Sequence, residues 1–402
     1  MMKLLHTADW HLCDRLGRID RTEDLRRRVE KVAQLCQEHA VDVLLMAGDL
    51  FSEQASIDQM TDSLNHIRTV FEPFFRNRGT ILAVTGNHDR DGKINIVRAG
   101  MTLAAPVPGQ DGILAPGRMY LINGRAMAQL QDRAGQRTQF VLTPYPFSSR
   151  YDLSATEYRT REEENQLLHG LVVNWLQEIS QQLDVTLPTV LCAHLHVRGS
   201  SAHTLYKMSE RDDILFSVAE LNPMWSYLAL GHIHQPQALG GSSHIQYAGS
   251  LDRLDFGETH QEHGVTLVEV EQNGTARTER ILLPATPFHT IVLEDPALEM
   301  ETLLERYPER EQAIVRFRLA PPRGQISREE IARRLKKDFP RWYELKWNDV
   351  PVTGQARPAL FDPQQGMEQR VQDYLGKQFA GHPHRDELLR LAQSLLDEWR
   401  NT

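Results

Sequence analysis

The chain has 402 residues, 41% hydrophobic and 25% charged, and a formal net charge of −9. That length exceeds what one hydrophobic core usually serves, so a large domain with smaller appended units is expected, and the ordinary composition excludes a disordered or solenoid chain. The acidic balance gives no global support to nucleic-acid binding, although a local basic face can persist beside a carboxylate-rich centre.

Residues 1–9 hold no apolar stretch long enough for a signal peptide, and no later run is long enough to cross a bilayer. A cytoplasmic protein without a membrane partner is expected. Cys13, Cys36 and Cys192 are widely spaced and lack any C-x-x-C pairing, which argues against a disulfide framework or a structural zinc site and for free buried thiols.

The opening half alternates strand and helix. Residues 3–8 form a short apolar run, 22–39 an amphipathic helix, and 41–47 a nearly continuous apolar strand. The spacing of Met60, Leu64, Ile67 and Phe71 predicts a helix over 56–75, and 80–85 reads as another buried strand. Such alternation implies βαβ units and a largely parallel sheet. Next, Asn123-Gly124 between Tyr120-Leu121-Ile122 and Ala126-Met127-Ala128 predicts a hairpin, hence a second, partly antiparallel sheet. A long helix over 161–182 and strands at 189–193, 227–230, 245–248 and 265–270 complete an α/β pattern of two sheets packed face to face and flanked by helices.

Beyond Pro284, strands at 290–293 and 313–319 and a helix over 327–339, with Ser327 as N-cap and Glu330 in capping-box position, indicate a small α/β domain. The expected organisation is therefore a catalytic domain over 1–285, a cap over 286–352, a linker over 353–359 and a helical segment over 360–402, the last broken near Gly381-His382-Pro383.

Five strand-like runs end in metal-binding residue types: Asp9 with His11, Asp49, Asn87 with His88, His194, and His232 with His234. In α/β sheets, ligands collect outside the carboxyl ends of the strands, so these residues are expected to converge. Carboxylate, imidazole and amide donors together suit manganese, iron or zinc better than calcium or magnesium. A preceding glycine in Gly48-Asp49, Gly86-Asn87-His88 and Gly231-His232 would permit a sharp turn at each strand end. In Asp9-Trp10-His11 and His232-Ile233-His234, strand alternation would set both polar side chains on one side and send Trp10 and Ile233 into the core. A single such histidine is more often a satisfied core or surface residue, but five strand ends carrying the right types together point to a dinuclear centre. His194 is preferred over His196 because it directly ends the apolar run 190–193.

Asp9-Trp10-His11-Leu12, Gly48-Asp49-Leu50-Phe51, Gly86-Asn87-His88-Asp89, the His194 segment and Gly231-His232-Ile233-His234 resemble the calcineurin-like metallophosphoesterase signature. Together with the run from Ala248-Gly249-Ser250-Leu251-Asp252-Arg253 to Leu254-Asp255-Phe256-Gly257-Glu258, they are similar to the SbcD-type DNA repair nucleases. The resemblance implies a two-sheet metallophosphoesterase sandwich in which Asp9, His11 and His234 hold one metal and Asn87, His194 and His232 the other, with Asp49 bridging. It also implies His88 as the catalytic histidine, Asp89 as the residue that orients it, and Ser250 and Arg253 as substrate contacts. Two departures stand beside the ligands: Cys13 where the family commonly has Gly, and Ser52 where many relatives have His or Asp.

The expected activity is that of a two-metal, manganese-dependent hydrolase of DNA, an endonuclease and 3′–5′ exonuclease in end processing or repair. Arg333, Arg334, Lys336, Lys337, Arg341 and Lys346, with Trp342 and Trp347, would give the cap a phosphate-tracking face. By the same resemblance, the C-terminal helices would grip an SbcC-like coiled-coil ATPase; the oligomeric state is left open, a homodimer among the arrangements. A metallophosphoesterase acting on a small phosphodiester or nucleotide is the alternative, and a non-catalytic scaffold a third.

Overall fold

The computed structural model describes residues 1–104, 113–151, 153, 156, 158–201, 213–221, 224–322, 326–348, 375 and 384–400. In chain order, the first half contains β1 (Met2–Thr7), α1 (Thr22–Glu38), β2 (Val43–Ala47), α2 (Ile57–Val70), α3 (Glu72–Arg76), β3 (Thr80–Val84), α4 (Asp91–Ala104), β4 (Met119–Ile122), β5 (Ala126–Gln131), β6 (Arg137–Thr143) and α5 (Arg161–Ser180). There follow β7 (Thr189–His194), β8 (Tyr227–Gly231), β9 (Gln237–Leu239), β10 (Ser242–Tyr247), β11 (Gly264–Val270) and β12 (Ala276–Leu282). Last come β13 (Phe288–Leu293), β14 (Ile314–Leu319), α6 (Arg328–Asp338), β15 (Trp342–Trp347) and α7 (Arg385–Arg400).

Strands that are apolar on both faces must be covered twice, and four layers achieve this. One sheet has the order β12-β11-β1-β2-β3-β4 and the other β9-β10-β8-β7-β6-β5. The strands β1 to β4 are mutually parallel, as are β6, β7, β8 and β10. Met2, Leu4, Val43, Leu45, Leu82 and Val84 of the first sheet meet Phe140, Leu142, Val190, Cys192 and Ala229 of the second in a layer without solvent. The outer face of the first sheet packs on α1, α2 and α3, and that of the second on α5.

Two local expectations are corrected. The Asn123-Gly124 segment does not close a hairpin: β4 pairs with β3 in the first sheet, whereas β5 pairs with β6 in the second. A two-residue hairpin turn of the expected kind needs positive φ at both residues, and neither Asn123 nor Gly124 has it. The segment is instead where the chain passes from one sheet to the other. The helix expected over 56–75 is two helices, because Pro73 lies at the start of α3 and cannot continue an α-helical hydrogen-bond ladder.

Residues 286–348 carry a three-stranded parallel sheet, β13-β14-β15, with its own core of Ile291, Val315, Phe317, Ile331, Leu335 and Phe339. Ser327 caps α6 by accepting from the Glu330 amide. Residues 1–348 form one compact unit and 349–402 a second. The expected linker at 353–359 and the first expected tail helix lie outside the described residues, apart from Leu375; α7 is the second of the pair. Among the described residues no helix is long and apolar enough to cross a membrane.

A histidine stands in the largely apolar layer between the sheets. His6 on β1 is fully buried, with Nδ1 2.8 Å from the Tyr227 hydroxyl and Nε2 3.2 Å from the Leu230 carbonyl on β8. A carbonyl only accepts, so Nε2 carries the proton and Nδ1 accepts from Tyr227, which satisfies a neutral imidazole. Burial, and then the charge of Arg280, hold His6 down at about 3. The unfolded chain would take up a proton on His6 as pH falls below 6.5, its ordinary value, while the folded chain would not until about 3. The associated stability is thus complete above 6.5 and lost progressively below it. In denaturant titrations, the stability advantage of the wild type over His6→Gln is expected to shrink by up to about 1.4 kcal/mol per pH unit below that point. An advantage that stays flat from pH 7.5 to 5 would show that His6 is not held neutral.

Candidate metal centre

The parallel strands of both sheets end at one seam, and the chain places its polar residues there. Asp9 and His11 follow β1, Asp49 follows β2, Asn87 and His88 follow β3, His194 ends β7, and His232 and His234 follow β8. The structure brings all of them to one locus. Trp10 and Ile233 are 1% exposed, as expected, but simple strand alternation is not the cause. Asp9 (φ 51°), His11 (φ 45°), Asp49 (φ 53°) and His232 (φ 101°) all have positive φ, a conformation that costs a non-glycine residue about 1–3 kcal/mol. Bonds from Asp9 N to Gly48 O and from His11 N to Asp49 O, both 3.0 Å, hold these turns, and the His232 amide donates to the Asp9 carboxylate at 3.2 Å.

The glycines act more by close approach than by turning. Of the three that precede ligand positions only Gly48 has positive φ (95°), and a Cβ there would stand 2.0 Å from His194 Nδ1. At Gly231 a Cβ would stand 1.8 Å from the Ala47 carbonyl, so the two sheets can meet at the seam only over hydrogen atoms.

Among the described residues three groups of donor atoms could each hold an ion: His196, Asp213 and His232 form one, and the other two are overlapping sets that share Asp9. Asp9, His11 and His234 offer atoms within 4.8 Å of one another, and so do Asp9, Asp49 and His194. His194 gives Nδ1 to the Ala47 carbonyl at 2.8 Å, leaving Nε2 to face Asn87 Oδ1 at 3.0 Å, His232 Nδ1 at 3.3 Å and Asp49 Oδ2 at 3.4 Å. His232 Nδ1 also lies 3.0 Å from Asn87 Oδ1. On the other side His11 Nε2 is 3.7 Å from the same Asp49 oxygen and is buried with no hydrogen-bond partner. Asp49 Oδ2 therefore stands between a donor from each set, while Oδ1 accepts from the His88 amide at 2.8 Å.

Charge in the seam points the same way. Burial, only partly offset by His194 and His234, raises Asp9 to about 6. Burial works against charge on Asp49 as well, yet His194 and His11 hold it well below the usual carboxylate range. His194 and His234 rise to about 9 against the burial penalty, the first through Asp49 and Asp9, the second through Glu258. Buried carboxylates thus demand positive charge at two points, and a donor set of carboxylate, imidazole and amide fits two divalent ions there.

Behind the donors stand acids that sequence reasoning missed. Glu258 Oε1 holds His234 Nδ1 at 2.8 Å, which turns Nε2 to the seam. Asp213 Oδ2 takes His232 Nε2 at 2.7 Å and His196 Nδ1 at 2.9 Å, while its Oδ1 accepts from the Tyr145 hydroxyl at 2.9 Å. Each carboxylate fixes which ring nitrogen a histidine offers. Glu258 closes the family-like run that starts at Ala248, with no role assigned to it there; Asp213 sits in no motif and no periodic pattern.

The other expected site residues fall differently. The His88 side chain is 39% exposed at the mouth of the cluster, its Nδ1 3.9 Å from Glu53. The Asp89 carboxylate accepts from the amides of Gly86, Leu50 and Phe51 at 2.9, 3.1 and 3.0 Å, so it bears on His88 through the backbone of the turn. Ser250 is fully buried beside His263 and Glu258, and the half-buried Arg253 donates to the carbonyls of Thr286 and Gln261. Cys13 has φ 68°, which explains the family's glycine, and its thiol bonds Gln59 O and Ser63 of α2. Ser52 bonds Asp14.

Because Asp49 Oδ2 lies between His11 of one set and His194 of the other, while His234 belongs to one set, Asp49→Ala is expected to weaken two divalent-metal binding events by about 10-fold or more each, and His234→Ala chiefly one. Isothermal titration resolves the two steps; equal losses in both variants would remove the bridging role from Asp49.

Residues 2–236 match the family model for calcineurin-like phosphoesterases. The chain is similar to the SbcD subunit of the SbcCD nuclease of Rhodobacter capsulatus, 29% identical over 291 residues that cover 70% of this chain and 69% of that protein. Its likeness to the corresponding nuclease subunit of Escherichia coli K12 is 25% over 295 residues, covering 71% and 69%. With that of Bacillus subtilis it is 22% over 404 residues, covering 97% and 96%. The family match takes in more than half of the chain and every donor of the seam, and from this the chain belongs to the calcineurin-like phosphoesterases and is a metal-dependent phosphodiesterase.

Proposed function

We propose that the protein is a manganese-dependent DNA nuclease, an endonuclease and 3′–5′ exonuclease that processes DNA ends as the SbcD-like partner of an SbcC-like coiled-coil ATPase. The observation that carries the reading is Asp49 Oδ2, 3.4 Å from His194 Nε2 and 3.7 Å from His11 Nε2, one carboxylate oxygen between a histidine of each expected ion site. The likeness to nuclease subunits of three bacteria supports the choice of substrate.

Asp9, His11 and His234 would hold one ion and Asn87, His194 and His232 the other, with Asp49 common to both. Two divalent ions held there would supply positive charge to a phosphodiester, lower the pKa of a bound water and offset charge on the departing oxygen. His88 protonates the 3′ oxygen as it leaves, a contribution of about 100- to 10,000-fold. Its partly exposed ring and its amide bond to Asp49 suit a group that meets substrate without being a ligand. Asp89 holds the loops that carry Asp49 and His88 against each other through three amides.

On the cap, Lys336 and Lys337 of α6 are exposed, as are Arg333 and Arg334 beside Glu330 (4.0 Å) and Asp338 (3.9 Å), and the four support a phosphate-tracking face. Arg341 and Lys346, expected to share it, are paired instead, with Asp24 and with Glu344. Trp342 lies 3.3 Å beneath the Arg18 guanidinium and 4.3 Å from Lys336, a cation–aromatic cluster at the edge of that face. The apolar residues of α7, Leu388, Leu389 and Leu391, fit a helix that docks on a partner by one side, and Leu391 is 58% exposed.

With manganese the wild type is expected to cut circular single-stranded DNA; hydrolysis of a nitrophenyl phosphodiester alone would favour a small phosphodiester as substrate. His88→Ala should keep two metal equivalents by elemental analysis while DNA cleavage falls about 100-fold or more. A lost equivalent or near-normal cleavage would overturn its role. Deleting residues after Ala359 should leave that cleavage intact and abolish co-purification with the ATPase; undiminished binding would move the partner surface elsewhere.

A further inference from the structure

Arg150 ends a short 3-10 turn after β6, Ser148–Arg150, and its side chain is 0% exposed. A buried guanidinium must find partners for five N–H groups, and these partners cluster around one loop. Nη1 donates to the carbonyls of Gly86 at 3.0 Å and Tyr145 at 3.1 Å and reaches that of Thr85 at 3.5 Å. Nη2 donates to the Asp89 carbonyl at 2.7 Å, and Nε to Asp91 Oδ1, at the head of α4, at 2.8 Å. The Phe147 ring lies 4.7 Å from the cation.

Thr85, Gly86 and Asp89 flank the turn that carries Asn87 and His88. From within the same turn the Asp89 carboxylate collects the amides of Gly86, Leu50 and Phe51. The peptide carbonyls on either side of His88 thus converge on a buried cation, and the neighbouring amides on a buried anion. Between these two anchors His88 sits half-buried, its own amide tied to Asp49. The turn has no freedom to shift without breaking a charge-assisted hydrogen bond at one end.

We infer that Arg150 is a positioning residue for the proton donor: by fastening both ends of the 86–89 turn it sets where the His88 ring stands, and so how well the leaving oxygen is protonated, without touching substrate. The inference rests on the role proposed above for His88. A lysine would not replace it, because one ammonium cannot span Asp91, Gly86 and Asp89 at once as the planar fork does. A displacement of about 1 Å at a catalytic group can cost about 100-fold in rate.

The test compares two leaving groups in the full chain with manganese. Nitrophenolate departs from bis(4-nitrophenyl) phosphate without a proton, whereas the 3′ oxygen of single-stranded DNA needs one. Arg150→Lys is expected to lower kcat on DNA about 10- to 100-fold with KM and two metal equivalents unchanged. Its kcat on the nitrophenyl ester should fall less than about 3-fold. Combined with His88→Ala it should add no further loss on DNA beyond that of His88→Ala alone, since both act on one step. Equal losses on both substrates, multiplied losses in the double variant, or near-normal DNA cleavage by Arg150→Lys would each overturn the inference. Should Arg150→Lys fail to fold in a thermal melt, Asp91→Asn, which removes the carboxylate bound to Nε, should give the same leaving-group selectivity in smaller measure; no selectivity there overturns it too. If His88→Ala alone cuts DNA normally, the role of His88 fails first, and the positioning of Arg150 with it.

Discussion

Two carboxylates buried at the seam of two sheets set the terms for everything around them. Asp9 and Asp49 are 0% and 1% exposed, and an isolated buried carboxylate costs several kcal/mol unless positive charge or hydrogen bonds meet it. The protein meets that demand from all sides. His194, His11 and His234 converge on the acids, while the amides of His88 and His232 donate to Asp49 and Asp9. The same demand makes the place suited to divalent ions, which supply charge where the histidines alone would have to hold protons. The glycines at 48 and 231 belong to this argument, since any side chain there would separate the sheets that deliver the donors.

Strained backbone is the cost of that convergence. Four of the donor residues adopt positive φ although none is glycine, and each is fastened by a backbone or carboxylate bond to a neighbouring strand end. Strain of this kind persists only where surrounding structure over-determines the conformation. Here the over-determination comes from two sheets whose strands are buried on both faces, so that the turns beyond their ends cannot relax without unseating the core beneath.

Much of this is readable from the residues alone, and the reason is physical. Asp9, Asp49, Asn87, His194, His232 and His234 each stop an apolar run, and a polar ligand at a buried strand end has few other uses. The carboxylates behind them are hidden for the opposite reason: Asp213 reaches His232 and His196 from a stretch without periodicity, and an acid that holds a histidine looks like any surface acid until the fold places it. Arg150 is harder still, because a buried arginine is recognised only by the carbonyls around it. The mistaken hairpin at Asn123-Gly124 has the same root. Turn chemistry is local, whereas the choice between pairing β4 with β5 and sending the two to different sheets is decided by which neighbours complete each sheet.

The run from Ala248 to Glu258 shows how such distant choices are tied together. One end serves the metal seam: Glu258 holds His234 at 2.8 Å and receives the Leu254 amide at 2.9 Å. The other end serves the three-stranded sheet: Asp252 accepts from the Thr286 amide at 2.7 Å and its hydroxyl at 2.5 Å, at the entrance to β13, and lies 3.3 Å from both Arg21 and Arg28. Arg21, fully buried, donates to the Arg253 carbonyl at 2.5 Å and bonds Asp24, which in turn holds Arg341 at the entrance to β15. Phe256 packs on Phe288 at 5.0 Å and Tyr343 at 5.6 Å. The segment is therefore a strut between a histidine of the centre and the sheet β13-β14-β15. Its residues are constrained together by packing and by paired charge.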